Sequence, residues 1–237
     1  SNEELFPELL GVSDPETTVR VYDAAGCAGD ALAHYTLGAD GSTGFELVIE
    51  VDANSTTMLW LQSEDQAGNT SGCISIGDYQ HDDQAPTAPT LTSTSPISPS
   101  NQNELSVLGS AEAGGTVMVY ADSGCSSSIL GEAPSDDFDS AGVSISVEEN
   151  TSLTLYAAVE DAAGNISDCS STGVLYVEDS MAPEEPVLQG TVPASPAISL
   201  TPILTGLAEE GATVEIFYNG ACVDEPALEV TADETTG

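Results

Sequence analysis

The sequence predicts an all-β protein built from small two-sheet sandwiches in tandem, like beads on a rod. Three observations predict it. The chain repeats itself at a spacing just short of one hundred residues. Apolar residues within a repeat alternate with period two, as half-buried strands require. Short β-branched runs are separated by clusters of Gly, Asp, Asn and Ser, which favour turns between antiparallel strands.

The repeat is plainest where GVSDPETTVRVYDAAGC begins at Gly11, GSAEAGGTVMVYADSGC at Gly109 and GLAEEGATVEIFYNGAC at Gly206. Each copy has a glycine, an acid three residues on, an aromatic eleven on and a cysteine sixteen on. NSTTMLW from Asn54 matches NTSLTLY from Asn150, and DDQAPTAPTL from Asp82 matches DSMAPEEPVL from Asp179. This period is too long for a helical solenoid and suits a string of small domains. The frame divides the chain into a module over 1–81 that lacks its first strand, a complete module over 82–178, and the N-terminal part of a third over 179–237. A partial sandwich leaves an apolar face and open edges. The frame therefore predicts a window on a longer array; strands donated by a neighbouring chain are the alternative.

In the complete repeat, strands are expected near 89–94, 104–112, 116–121, 127–132, 142–148, 152–160 and 171–178. Val117 and Val119 share one face; so do Val143, Ile145 and Val147, and so do Leu153, Leu155, Ala157 and Val159. Seven strands in about 100 residues is the pattern of the immunoglobulin-like sandwich. A fibronectin type III variant of that architecture fits as well.

The stretches AEAGGTVMVY, YAAVEDAAGNISDCS and VEDSMAPEEP resemble the bacterial Ig-like repeats of large secreted adhesins and cell-surface fibres. The resemblance runs through the whole chain as a repeat grammar, and D-x-A-G-N-x-S is its most specific element. It implies an extracellular, non-enzymatic spacer in a stalk, stiffened by calcium and flanked by further modules of the same longer chain. Neighbouring subunits in a fibre are a second class of partner. The competing function is a carbohydrate-binding or spacer module attached to a secreted enzyme.

Composition limits the partners. The chain of 237 residues carries 40 acidic residues against one basic residue, Arg20, for a formal charge of −39. Nucleic acid and anionic membrane surfaces are polyanionic and are excluded as partners. The chain is still 40% hydrophobic, with its acids interspersed among Val, Ile, Leu and Thr, which describes a folded protein with an acidic surface. No apolar run is long enough for direct membrane insertion as a helix.

Calcium is the cofactor this charge suggests. In an Ig-like sandwich the entering linker, the loop after the second strand and the loop before the last strand share one pole. For the middle module that gathers Asp82 and Asp83, Glu112, and Asp161 with Asn165, faced by Asp52 from the preceding module. Asp179 and Glu209 repeat the linker and loop positions at the next junction. Carboxylates with an amide or carbonyl are the hard oxygen ligands that calcium takes six to eight at a time. The plainer alternative is turn chemistry, because Gly-Asn tolerates positive φ and an Asp can bond nearby backbone.

The cysteines occupy two repeated positions: Cys27, Cys125 and Cys222 after the third strand, Cys73 and Cys169 after the AGN turn. Their regular placement points to disulfides in an exported protein. Pairing within modules joins Cys27 to Cys73 and Cys125 to Cys169. Pairing across the junction, Cys27 to Cys169, stays open, because the third strand of a simple sandwich ends at the pole opposite the last loop and a disulfide spans at most about 7 Å between Cα atoms.

Tyr22 with Trp60, and Tyr120 with Tyr156, fall out of phase with the inward residues and predict paired aromatics on an outer sheet face. Such a pair would serve glycan stacking or packing against another fibre; an ordinary cross-strand contact is the alternative. Asn54, Asn69, Asn150 and Asn165 each begin an N-x-S/T triplet, relevant where that glycosylation route exists. His34 and His81 have no residue of their own type at matching positions. No phosphate-binding loop or nucleophile elbow occurs, so an enzyme is not expected.

Overall fold

The computed structural model describes residues 5–223 and 225–233, which form two compact units, Ser1–Asp179 and Ser180–Gly237. The first unit holds two sandwiches. In the first sandwich, β1 (Glu8–Val12) pairs with β4 (Gly44–Val48), and the facing sheet runs in the order β3 (Ala33–Thr36), β2 (Thr18–Tyr22), β5 (Thr56–Glu64), β6 (Ile74–Gln80). Val19, Val21, Leu37, Phe45, Leu47, Ile49, Val51 and Leu59 form its core.

The second sandwich adds a strand. Its smaller sheet is β11 (Val143–Ser146), β8 (Glu104–Ser110), β7 (Thr90–Ser95), and its larger one is β10 (Gly131–Pro134), β9 (Thr116–Tyr120), β12 (Ser152–Glu160), β13 (Val174–Val177). The named strands pair antiparallel, and the alternation Val117, Val119 against Leu155, Ala157, Val159 fills the core as the period-two pattern requires. Tyr176 is fully buried, and its hydroxyl donates to the Gln102 carbonyl at 2.6 Å. These seven strands give the Ig-like architecture.

The glycine that frames each repeat has a packing reason. A side chain at Gly109 would run into the Thr90 carbonyl and the Phe138 ring, and one at Gly206 would sit 2.7 Å from the Val187 carbonyl. Only glycine admits so close an approach of the neighbouring strand.

One strand lies later than the sequence predicts. The segment expected near 127–132 is extended only over 131–134, because the Asp122 carboxylate gathers the backbone N–H groups of Gly124, Ser126 and Ser127 into a turn. Those bonds, Ser127 foremost, hold the Asp122 carboxyl far below the usual carboxylate range.

The second unit has two hairpin-like pairs, β14 (Val187–Val192) with β15 (Ile203–Leu207) and β16 (Thr213–Ile216) with β17 (Leu228–Thr231). Val187, Leu188, Ile203, Leu207, Leu228 and Val230 are exposed there. Among the described residues no helix is long and apolar enough to cross a membrane.

Candidate functional site

Around the linker, hydrogen bonds join Asn165 to Asp82, Glu112 to Thr87 and Asn54 to Asp83. Asp161 opens the EDAAGN turn, and its Oδ1 accepts the N–H groups of Ala163 (2.8 Å) and Asn165 (2.9 Å) while Oδ2 accepts from Asn165 Nδ2 (2.9 Å). Burial pushes the Asp161 carboxyl up, but the bonds from Asn165, Ala163 and Gly164 outweigh it and hold the group below its ordinary range. The buried Asn165 amide also donates to the Asp82 carbonyl at 3.1 Å, which ties the turn to the linker. Asp82 Oδ1 caps the Gln84 N–H at 3.0 Å. Further along the linker, the Thr87 N–H donates to Glu112 Oε2 at 3.1 Å.

The first sandwich holds the same linker from its other side. Asn54, in the left-handed region at φ 51°, accepts the Asp83 N–H on its Oδ1 at 2.9 Å and donates its own N–H to His81 Nδ1 at 3.0 Å. The His81 N–H returns a bond to the Ser55 carbonyl at 2.9 Å. His81 is 2% exposed. Asp52, in the same turn, contributes its carbonyl to Ser55 Oγ.

The calcium ligand set predicted from sequence does not fit this geometry. Asp161, Asp82 and Glu112 spend carboxylate oxygens on amide donors, and among the described residues no three His, Cys, Asp or Glu side chains form a group that could hold a metal ion. Of the remaining expected ligands, the Asp179 N–H donates to the Ser100 carbonyl, and Glu209 Oε2 accepts the Glu184 N–H at 3.3 Å. Glu112 and Glu209 thus do the same thing in two repeats: each clips the backbone of the linker just before its module.

Sequence reasoning missed His81 as a junction residue. Its counterpart is Glu178, which is 1% exposed and accepts the Asn150 N–H on its carboxylate, while its own N–H donates to the Thr151 carbonyl. Asn150 has φ 56°, matching Asn54. The shared signal was position in the repeat and acceptor chemistry, not residue type. The triplets at Asn54 and Asn150 mark left-handed turns, and at Asn165 the asparagine and the Ser167 of the triplet are both buried.

The disulfides are Cys27–Cys73 and Cys125–Cys169, with Cα separations of 5.8 and 5.6 Å, so the cross-junction pairing does not occur. The objection from opposite poles fails because the chain doubles back after the AGN turn. Ser167 N donates to the Val159 carbonyl and Ser170 N to that of Ala157, which brings Cys169 down along β12 to the end of β9. The serine hydroxyls complete the pairing: Val159 N donates to Ser167 Oγ and Ala157 N to Ser170 Oγ. Ser71 does the same for Ser63 in the first sandwich. Cys222 is exposed and unpaired among the described residues.

The aromatic pairs are directly opposite in register, Tyr22 with Trp60 and Tyr120 with Tyr156. They are not the open platform expected, since Tyr22 and Tyr120 are each 7% exposed and the other two are half-buried. Tyr120 packs in a satellite cluster with Met118, Ala158 and Cys125. Burial, with Glu160 and Asp122 nearby, pushes its hydroxyl pKa up. Arg20 stands at the position of Met118 in the first sandwich and is ion-paired to Glu64. Trp60 Nε1 is buried there without a hydrogen-bond partner among the described residues.

No protein-family model matches the sequence, and no curated protein matches it either. Among solved structures, the chain is similar to the BSP domain of a biofilm associated protein at 19% identity and a TM-score of 0.26, over 77% of this chain. It spans 29% of that chain. It is also similar to the FN1–FN3 domains of chicken CNTN1 at 9% identity and a TM-score of 0.28, over 98% of this chain and 83% of that one.

Proposed function

We propose that the chain is a non-enzymatic structural segment of an extracellular fibre or adhesin stalk, whose modules carry load and hold ligand-bearing parts away from a surface. The observation that supports this most directly is how the polar chemistry is spent. Asp161, Asn165, Glu112, Asn54 and His81 all bond the backbone of a turn or of the linker. Each sandwich of the first unit also carries a disulfide that fastens the turn after β2 or β9 to the segment after its AGN turn. Disulfides at repeated positions belong to oxidising, extracellular conditions, and the acidic surface favours solubility over association with polyanions. Pro86 and Pro89 restrict bending of the linker further.

Single-molecule stretching tests the proposal. The oxidised chain should unfold in discrete steps, each shortened by the residues locked inside a disulfide. The bridges close spans of 46 and 44 residues, so reduction should lengthen each step by about 150 Å at the extension of a stretched chain. A chain that extends smoothly at low force, with no steps, would rule out a load-bearing stalk.

A further inference from the structure

We infer that the junction between the first two sandwiches is held by a hydrogen-bonded clasp on the linker, and that it needs no divalent cation. This deepens the stalk reading by naming what would hold the joint.

The linker is tied in turn to both neighbours. His81 and Asp83 are bound by Asn54 of the preceding sandwich, through its N–H and its carboxamide oxygen. Asp82 and Thr87 are bound by Asn165 and Glu112 of the following one. Four points within seven residues therefore alternate between the two bodies, and a hinge motion must break bonds to one of them. Asn54 engages the linker by its main-chain N–H and its Oδ1, and Asn165 Nδ2 donates both to Asp161 Oδ2 and to the Asp82 carbonyl.

The same arrangement disfavours calcium. A calcium ion wants six to eight oxygens turned towards it. Around this linker one carboxylate oxygen of Asp82, one of Glu112 and both of Asp161 accept N–H groups instead, and among the described residues no three His, Cys, Asp or Glu side chains gather as a metal site requires. The parts recur. Glu178 receives the Asn150 N–H at the end of the second sandwich, and Glu209 clips Glu184 within the second unit. Two of the four bonds thus recur, with His81 and Glu178 exchanged at one position.

The test uses the full chain, with module tumbling times from amide relaxation and the maximum dimension from small-angle scattering. Asn54→Gly keeps the left-handed turn and the N–H to His81 but deletes the carboxamide that holds Asp83. Asn54→Asp keeps an acceptor there, and Glu112→Ala removes the clip on Thr87. Asn54→Gly and Glu112→Ala should each let the first two modules tumble more independently, Asn54→Asp should behave as the parent, and adding a chelator or millimolar calcium should change nothing. Chelation that loosens the parent as far as Asn54→Gly would overturn the clasp in favour of a bound cation. So would unchanged tumbling in both loosening variants. Should Asn54→Gly unfold the first module, Glu112→Ala decides alone. A chain that unfolds in steps under force yet fails these tests loses the clasp and keeps the stalk reading; the converse result separates them the other way.

Discussion

The two sandwiches of the first unit share a sequence pattern but differ in how completely the core is closed. In the second, β7 lies along β8 and its continuation reaches the opposite sheet, where the Val177 N–H donates to Ser98 Oγ and Ser100 pairs with Glu178. Val107 and Tyr176 are then fully buried. In the first, no strand among the described residues pairs with the other edge of β1. Leu9, at the position of Val107, and Tyr79, at the position of Tyr176, are only half-buried. One strand that touches both sheets accounts for the difference. The lesson is that the first strand of this module works as a seal across the open side of the sandwich.

Leu91 is the residue that β7 contributes to the second core. Leu91→Ala should destabilise the second sandwich by about 2–5 kcal/mol and bring its melting transition towards that of the first, as followed by calorimetry of the full chain. Equal loss in both transitions would show that β7 is not what separates them. Next in size are the disulfides. Replacing Cys125 and Cys169 together with serine should cost the second sandwich about 2–4 kcal/mol. Replacing Cys27 and Cys73 should cost the first a similar amount, since the closed spans are nearly equal at 44 and 46 residues. A much larger loss in the first sandwich would mean that its less sealed core leans on the bridge.

The smallest effect is the acid limb. Asp161 and Asp65 occupy the same turn in the two sandwiches and both carboxyls are held below the ordinary range, Asp65 chiefly by the Asn69 side chain. Stability from such a group is present above the unfolded pKa, about 3.9, and is lost as pH falls through the lower folded value. The amide signals of Asn69 and Asn165 should therefore titrate with midpoints below that of a free aspartate. A midpoint at the ordinary value for Asn165 would mean that the turn opens before its carboxyl is protonated.

How much of this was legible in the sequence depends on what kind of atom carried the information. The strands could be read because Val117, Val119, Leu155 and Val159 must face one way, and period two records facing. The framing glycines could be found, and their cause is the close approach of Thr90 to Gly109. The acid three residues after each framing glycine also proved to have a repeated role in Glu112 and Glu209, but as a backbone acceptor. Sequence gives the charge of a carboxylate, not the direction from which its partners arrive. The disulfide pairing stayed open for a related reason: the return of the chain along β12 depends on Ser167 and Ser170 hydroxyls standing in for ladder partners, which spacing does not reveal. His81 escaped notice because a neutral imidazole nitrogen and the Glu178 carboxylate look unlike in a sequence and alike to an N–H donor.

Those two serines have another consequence. Neighbouring modules that share a sequence pattern, held close in one chain, are prone to exchange strands or to stack edge on edge. Beside the upper half of β12, the strand's carbonyls meet serine amides but its N–H groups meet serine hydroxyls where a regular strand would offer carbonyls. A foreign strand arriving there finds no continuous ladder to extend, which leaves that edge of the second sandwich a poor template for pairing.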